Sequence, residues 1–264
     1  MIVLGAIAPH SPILAPRVGQ DRRDALMNTL MAYQKLAERL YALHTEVLII
    51  ISPHAQCYAE AFSANIAENY TGSFKAFGDH ETHVSAPSSI LVLDRIQSVM
   101  RERTSIPFTM TTSPEIDYGI SIPLLLLKPT LKNIRIIPIS PSHQDAETHV
   151  DFGRELKEVL HENTKRIAVL ASADLSHKLT KDSPAGFSVE GPAFDAMIRK
   201  KLAEQDLEGL LSMDAEAINS AGQCGYNPIM ILMGMLSDMK TDYTELCYES
   251  PFGVGYLTAM IEPI

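Results

Sequence analysis

Histidine follows an apolar run at four places in this chain of 264 residues. His10 stands in Pro9-His10-Ser11-Pro12 after Ile2 to Ala8, and His54 in Ser52-Pro53-His54-Ala55 after Val47 to Ile51. His143 closes Ser140-Pro141-Ser142-His143 after Ile134 to Ile139, and His177 closes Ala173-Asp174-Leu175-Ser176-His177 after Ile167 to Leu170. A neutral imidazole is a metal ligand, and one that titrates near neutrality carries protons. Two or three imidazoles held together suit Zn, Fe, Cu or Ni. Two histidines and one carboxylate on one face of an octahedron leave three positions open, the arrangement with which non-haem Fe(II) enzymes bind substrate and O2 side by side. A further histidine outside the ligand set can then act as acid and base.

That chemistry requires the four residues to converge. Val47 to Ile51 is too short for a buried helix and has the composition of a strand covered on both faces. It halts at Ser52-Pro53, because proline offers no N–H to a ladder and pushes its predecessor toward extended geometry. The other three runs have the same character. In open α/β sheets the ligand crevice lies beyond the carboxyl ends of the strands, so parallel, adjacent strands would deliver all four histidines to one edge. Between the first two runs, Leu26, Leu30, Tyr33, Leu36, Leu40 and Leu43 predict a helix from Asp21 to about His44, which makes a right-handed crossover if the two strands are parallel neighbours.

The remaining chain supplies flanking elements. Phe62, Ala64 and Ile66 alternate with polar residues as in an edge strand, and Asn69 to Ser89 is expected to be a long loop. Its His80 and His83 have HxxH spacing but are read as solvated residues of a lid. Ser88 and Ser89 are candidate caps for a helix to Arg103. A strand near Phe108 to Thr112 and a helix from Ile120 to Leu127 follow. Further helices are predicted over Asp145–Asn163, Gly191–Glu204, Leu207–Met213 and from Asn227 to about Met239, the methionines of the last acting as core filler. Tyr243–Glu249 and Gly255–Ile261 are expected to close one sheet edge as antiparallel strands. His44, His149 and His161 are read as surface residues, Glu190 as a helix start, and Glu249 as too remote to reach the site. No linker interrupts residues 1–264, so the expected fold is one α/β domain with a central twisted, largely parallel sheet and helices on both faces.

The net charge of −10 argues against nucleic acid or an anionic membrane as partner. Apolar residues make up 46%, enough for a substantial core. Cys57, Cys224 and Cys247 have no CxxC spacing, and neither a signal peptide nor a membrane span is evident, so a reducing, cytoplasmic setting is expected. Nucleophilic catalysis has no G-x-S-x-G elbow behind it, and Gly253-x-Gly255 has no following helix for a nucleotide.

The segments G-A-I-A-P-H-S-P (5–12), I-S-P-H-A (51–55), A-D-L-S-H (173–177) and E-G-P-A-F-D (190–195) resemble the class III extradiol ring-cleavage dioxygenase superfamily, typified by the catalytic β subunit of protocatechuate 4,5-dioxygenase. The B component of the AmmeMemoRadiSam group and Memo-type proteins are the nearest branch. The resemblance runs in order over nearly the whole chain. It implies a mononuclear metal, Fe(II) foremost, held by His10 and His54, with His177 as the acid and base for O2-dependent opening of a catechol or aminophenol. Two positions depart from the pattern. The third ligand, a glutamate in family dioxygenases, corresponds here to Cys224, as in the Memo branch. Either its softer thiolate is a ligand that favours Zn or Cu(I), or it is an inert buried thiol and water completes the site. Where many members have D-H-G, this chain has Asp117-Tyr118-Gly119. Tyr118 can still donate a hydrogen bond to substrate, and His143 either replaces the missing histidine or only caps its loop. Asp174 either orients His177 or caps a turn. Three functions are therefore compatible with the sequence: an extradiol dioxygenase, a Memo-like metal-binding redox protein, or a metal-free subunit. Homo-oligomers and partner subunits are both expected possibilities.

Overall fold

The apolar runs become strands in which every residue but Arg135 is covered. The structure, a computed structural model, describes residues 1–161 and 163–264. β1 (Ile2–Ala8), β2 (Val47–Ile51), β7 (Arg135–Ser140) and β8 (Ile167–Ser172) lie side by side in the order β7-β2-β8-β1, all parallel. Their carboxyl ends therefore share one edge, and the loops carrying His143, His54, His177 and His10 leave from it. β8 lies between the first two strands, so β1 and β2 are parallel but not the neighbours that a direct crossover requires. Its six residues are all buried, and it pairs with both.

The sheet is extended to eight strands by β3 (Phe62–Asn65) and β6 (Phe108–Thr111) on one side and by β10 (Tyr256–Pro263) and β9 (Thr241–Glu249) on the other. β10 and β9 are antiparallel additions, as expected. β3 is not the edge: β6 lies outside it.

Alternation along the central strands sends side chains into two cores. Leu48 and Ile50 of β2 face one layer, with α2 (Met27–Ala42) and α4 (Tyr118–Leu127). Val47, Ile49 and Ile51 face the other, with α3 (Ile90–Arg103), α5 (Ala146–His161), α6 (Glu190–Ala203) and α9 (Tyr226–Leu236). Short helices α1 (Pro16–Gly19), α7 (Leu207–Leu211) and α8 (Ala215–Ser220) lie in connections. The result is a single α/β domain. Among the described residues no helix is long and apolar enough to cross a membrane.

Three further expectations are corrected. The helix expected from Asp21 begins at Met27, preceded by a 3-10 stretch over Gln20–Leu26. The expected loop at 69–89 is mostly a separate antiparallel pair, β4 (Asn69–Phe74) and β5 (Asp79–Pro87). In β4, Tyr70, Gly72 and Phe74 are buried and their neighbours exposed, a period-two pattern that glycine and serine disguise. His149 is fully buried, with its ring edge-on to Phe62.

Candidate metal centre

Each ligand candidate is set by a backbone fixed at a strand end. His10 follows β1 and is 1% exposed, and its amide donates to Asp174 Oδ1 at 2.9 Å. Its Nδ1 lies 2.8 Å from Ser172 Oγ, at the end of neighbouring β8. The Ser172 hydroxyl donates its single hydrogen to the Gly119 carbonyl. Ser172 can therefore only accept from His10, so the His10 proton sits on Nδ1 and the Nε2 lone pair is free.

That lone pair points to the other candidates. His54 Nε2 is 2.9 Å from His10 Nε2, and Cys224 Sγ, just before α9, is 3.4 Å from the same nitrogen. Among the described residues these three form a group whose ligand atoms all lie within 4.8 Å of one another. Two nitrogens so close both lie in reach of one ion on bonds of about 2.1 Å, with sulfur at about 2.3 Å. A free inward lone pair facing a second imidazole and a sulfur is a donor set that one divalent cation satisfies, so the residues fit a metal.

His54 is held by its own loop. Its amide donates to Ser52 Oγ, which donates to Asp117 Oδ1 at 2.6 Å. Asp117 also accepts from the Gly119 amide and so caps α4. Glycine is required at 119, because a Cβ there would stand 2.3 Å from Ser52 Oγ. The cap presents Tyr118, whose hydroxyl is 2.9 Å from His54 Nε2 and whose ring stacks on His54 with centroids 4.3 Å apart.

Burial dominates the electrostatics. It lowers the His54 pKa to about 4, with repulsion from His10 adding to it. Burial also lowers His10, against the pull of Asp174. Both rings are therefore neutral near pH 7, as ligation requires. Burial, reinforced by Asp174, pushes the Cys224 thiol well above its ordinary value, so a bound cation must displace a thiol proton. Burial alone would raise the Asp174 carboxyl, but His10 and His177 outweigh it and hold it below its ordinary value.

His177 enters from the loop after β8. Its Nε2 is 3.8 Å from Asp174 Oδ2, which is 3.9 Å from His10 Nε2. Asp174 thus faces both rings, and its other oxygen fixes the His10 backbone. His10, His54, Tyr118, Asp174 and His177 line a cavity of about 420 Å³ whose other walls include Ile13, Val18, Phe77, Phe252 and Val254.

Of the sequence-predicted residues, His10, His54, Cys224, Tyr118 and His177 come together here. His143 does not line this cavity: it is exposed, and its amide donates to Tyr58. Glu249 accepts from the Thr29 amide and hydroxyl and stays with α2. His80 and His83 are exposed on β5. Sequence reasoning missed Ser52 and Ser172, the polar residues that terminate apolar runs and orient the two histidines. It also missed Phe77, which sits in the turn between the unexpected strands.

The family described as the catalytic LigB subunit of aromatic ring-opening dioxygenase matches residues 4–258. Protein CA_C1420 of Clostridium acetobutylicum is 29% identical over 97% of this chain, which spans 56% of that protein's length. A MEMO1 family protein of Methanococcus maripaludis is 25% identical, covering 83% of this chain and 85% of its own. A MEMO1 family protein of Methanocaldococcus jannaschii is 22% identical, covering 88% and 77%. The fold is shared with the crystal structure of an uncharacterized protein, JW3007, from Escherichia coli K12, with a TM-score of 0.69 at 18% identity over 98% of this chain and 99% of that one. With a match that takes in all four strand ends and the segment bearing Cys224, the chain belongs to the LigB family, that of the catalytic subunit of aromatic ring-opening dioxygenases.

Proposed function

We propose that this protein is a metal-dependent, dioxygenase-type oxidoreductase that opens the ring of a catechol or aminophenol with O2. The observation that carries the reading is the meeting of His10 Nε2, His54 Nε2 and Cys224 Sγ beside a cavity lined by both histidines and by His177. In this reading His10, His54 and Cys224 would hold the ion, and a bound Fe(II) would supply chelation of the two adjacent ring substituents (both oxygens of a catechol, the oxygen and nitrogen of an aminophenol) and one-electron chemistry with O2.

The chain's own side chains do the rest. Ile13, Val18, Phe77, Phe252 and Val254 suit the flat face of an aromatic ring and exclude water from it. The Tyr118 hydroxyl hydrogen-bonds a substrate oxygen, and burial keeps it protonated by pushing its pKa well up. His177 takes the proton released when the substrate hydroxyl binds and returns it as the ring opens, with the Asp174 carboxylate stabilising the imidazolium between those events. An acidic chain of net charge −10 suits a small-molecule partner better than nucleic acid. A reducing, cytoplasmic setting keeps Cys224 a free thiol.

The test is O2 uptake with formation of ring-opened product by iron-reconstituted protein, abolished in His10→Ala and His177→Ala. Absence of turnover across a panel of catechols and aminophenols, with iron firmly bound, refutes it. The sulfur of Cys224 beside His10, with Tyr118 against His54, favours a second reading: a Memo-like metal-binding redox protein without ring cleavage, preferring Zn or Cu. Full zinc and copper affinity in Cys224→Ser would refute that second reading.

A further inference from the structure

The E-G-P-A-F-D stretch opens α6, outside the ligand group, and its aspartate has no part in the chemistry above. Asp195 is 2% exposed. Its Oδ1 accepts from the Ser176 amide at 2.8 Å, and its Oδ2 accepts from the Tyr248 hydroxyl at 2.7 Å. Ser176 immediately precedes His177. Its hydroxyl donates to the Ala221 carbonyl at 2.8 Å, three residues before Cys224, and accepts from the Lys178 amide at 3.0 Å. Its carbonyl accepts from the Gly255 amide at 2.9 Å. One buried serine thus joins the His177 loop, the Cys224 segment and the start of β10, and Asp195 anchors it to α6 and β9.

The junction leaves no slack. A Cβ at residue 255 would stand 1.9 Å from Asp195 Oδ2, so the chain passes directly against the carboxylate. Tyr248 is itself held, with Arg199 4.1 Å from its ring centroid and bonded to Glu245. Burial pushes the Asp195 carboxyl up to about 6, so at neutral pH it is mainly the ionised acceptor, which makes the stronger kind of hydrogen bond.

We propose that Asp195 is a positioning residue: by holding Ser176 it fixes His177 at the cavity rim and, through Ala221, the segment that carries Cys224 to His10. The role of His177 rests on the proposed function, whereas the anchoring does not.

The test compares Asp195→Ala and Asp195→Asn in the full chain by backbone amide hydrogen exchange and by the thiolate-to-metal absorption of the cobalt(II)-loaded protein. In Asp195→Ala, exchange in residues 173–178 and 221–225 rises roughly tenfold while β1 and β2 keep wild-type protection. The cobalt–thiolate band weakens, and kcat on a catechol falls about 10- to 100-fold with little change in KM, the scale of losing a group that orients the reacting residues. Asp195→Asn, which keeps an acceptor for Ser176 and a polar partner for Tyr248, restores all of these. Wild-type exchange in a folded Asp195→Ala protein, or an Asp195→Asn protein as loose as Asp195→Ala, overturns the assignment. If Asp195→Ala does not fold, Ser176→Ala decides. It keeps the amide bond to Asp195 but loses the Ala221 link and the acceptor of the Lys178 amide, so exchange rises in 221–225 and at Lys178 but not in 173–177, and no rise in 221–225 overturns the proposal. If wild type turns over no catechol, the dioxygenase reading falls while the exchange pattern still decides the role of Asp195.

Discussion

Ser172→Ala is the sharpest test of how the site is built, because it replaces no proposed ligand. The hydroxyl does two jobs: it accepts from His10 Nδ1 at 2.8 Å and donates to the Gly119 carbonyl beside Tyr118. Removing it strands a fully buried N–H or lets His10 shift to the tautomer that blocks its inward lone pair. An unsatisfied buried donor costs about 1–3 kcal/mol, which for a chain of this size lowers Tm by roughly 2–12 °C. Loss of an orienting partner lowers metal affinity about 10- to 100-fold. Competition against a chromophoric chelator gives the zinc affinity at pH 7, and calorimetry gives the stability of metal-free protein. Ser212→Ala, at an exposed helix end, is the control and should change neither. If Ser172→Ala binds zinc as tightly as wild type, Ser172 does not set the His10 tautomer and the reasoning fails, whatever happens to Tm.

Three further outcomes are expected. His177→Asn should keep metal affinity within about twofold of wild type but lower kcat on a catechol by about 10²–10⁴, and a loss of metal instead would make His177 a ligand. Asp174→Asn removes the charge facing both His10 and His177 at 3.8–3.9 Å. It should lower the pH at which metal displaces the Cys224 thiol proton, because the Asp174 charge opposes that ionisation; an upward shift of the metal-uptake profile contradicts this. Metal-free protein should lose stability in acid. The folded His54 pKa of about 4 lies below its ordinary 6.5, so the unfolded chain binds more protons in that window. Stability is full above about pH 6.5 and falls until about pH 4, by at most ~3 kcal/mol, less for solvent screening of a partly exposed ring. Asp195, pushed up to about 6, works in the opposite sense over much of the same range. The difference between wild type and His54→Asn in urea titrations therefore isolates the histidine, and a pH-independent difference refutes it.

The central strands were legible because short aliphatic runs, three of the four halted by a proline at Pro9, Pro53 and Pro141, have few alternatives, and parallel pairing follows once helices separate them. Their order was not, since nothing local in Ile167–Ser172 says that it lies between β1 and β2. The hairpin at 69–87 was hidden by its composition: Gly72 and Ser73 carry no β signal, and only tertiary cover makes Tyr70 and Phe74 core residues. His149 was misread because its helix is amphipathic around it, while its ring packs on Phe62 and its Nδ1 bonds the Asp145 carbonyl. In the site, the residues with distinctive chemistry announced themselves. The serines that aim them did not, because a serine after a strand is common and its bonds span 53 and 162 residues of chain.

The site requires His10, His54 and Cys224 to share one cation, and X-ray absorption of zinc-loaded protein measures that directly. The prediction is one ion per chain with nitrogen neighbours at about 2.0–2.1 Å and a single sulfur at about 2.3 Å, the sulfur vanishing in Cys224→Ser. An ion surrounded by oxygen alone, or a sulfur shell that survives Cys224→Ser, contradicts it.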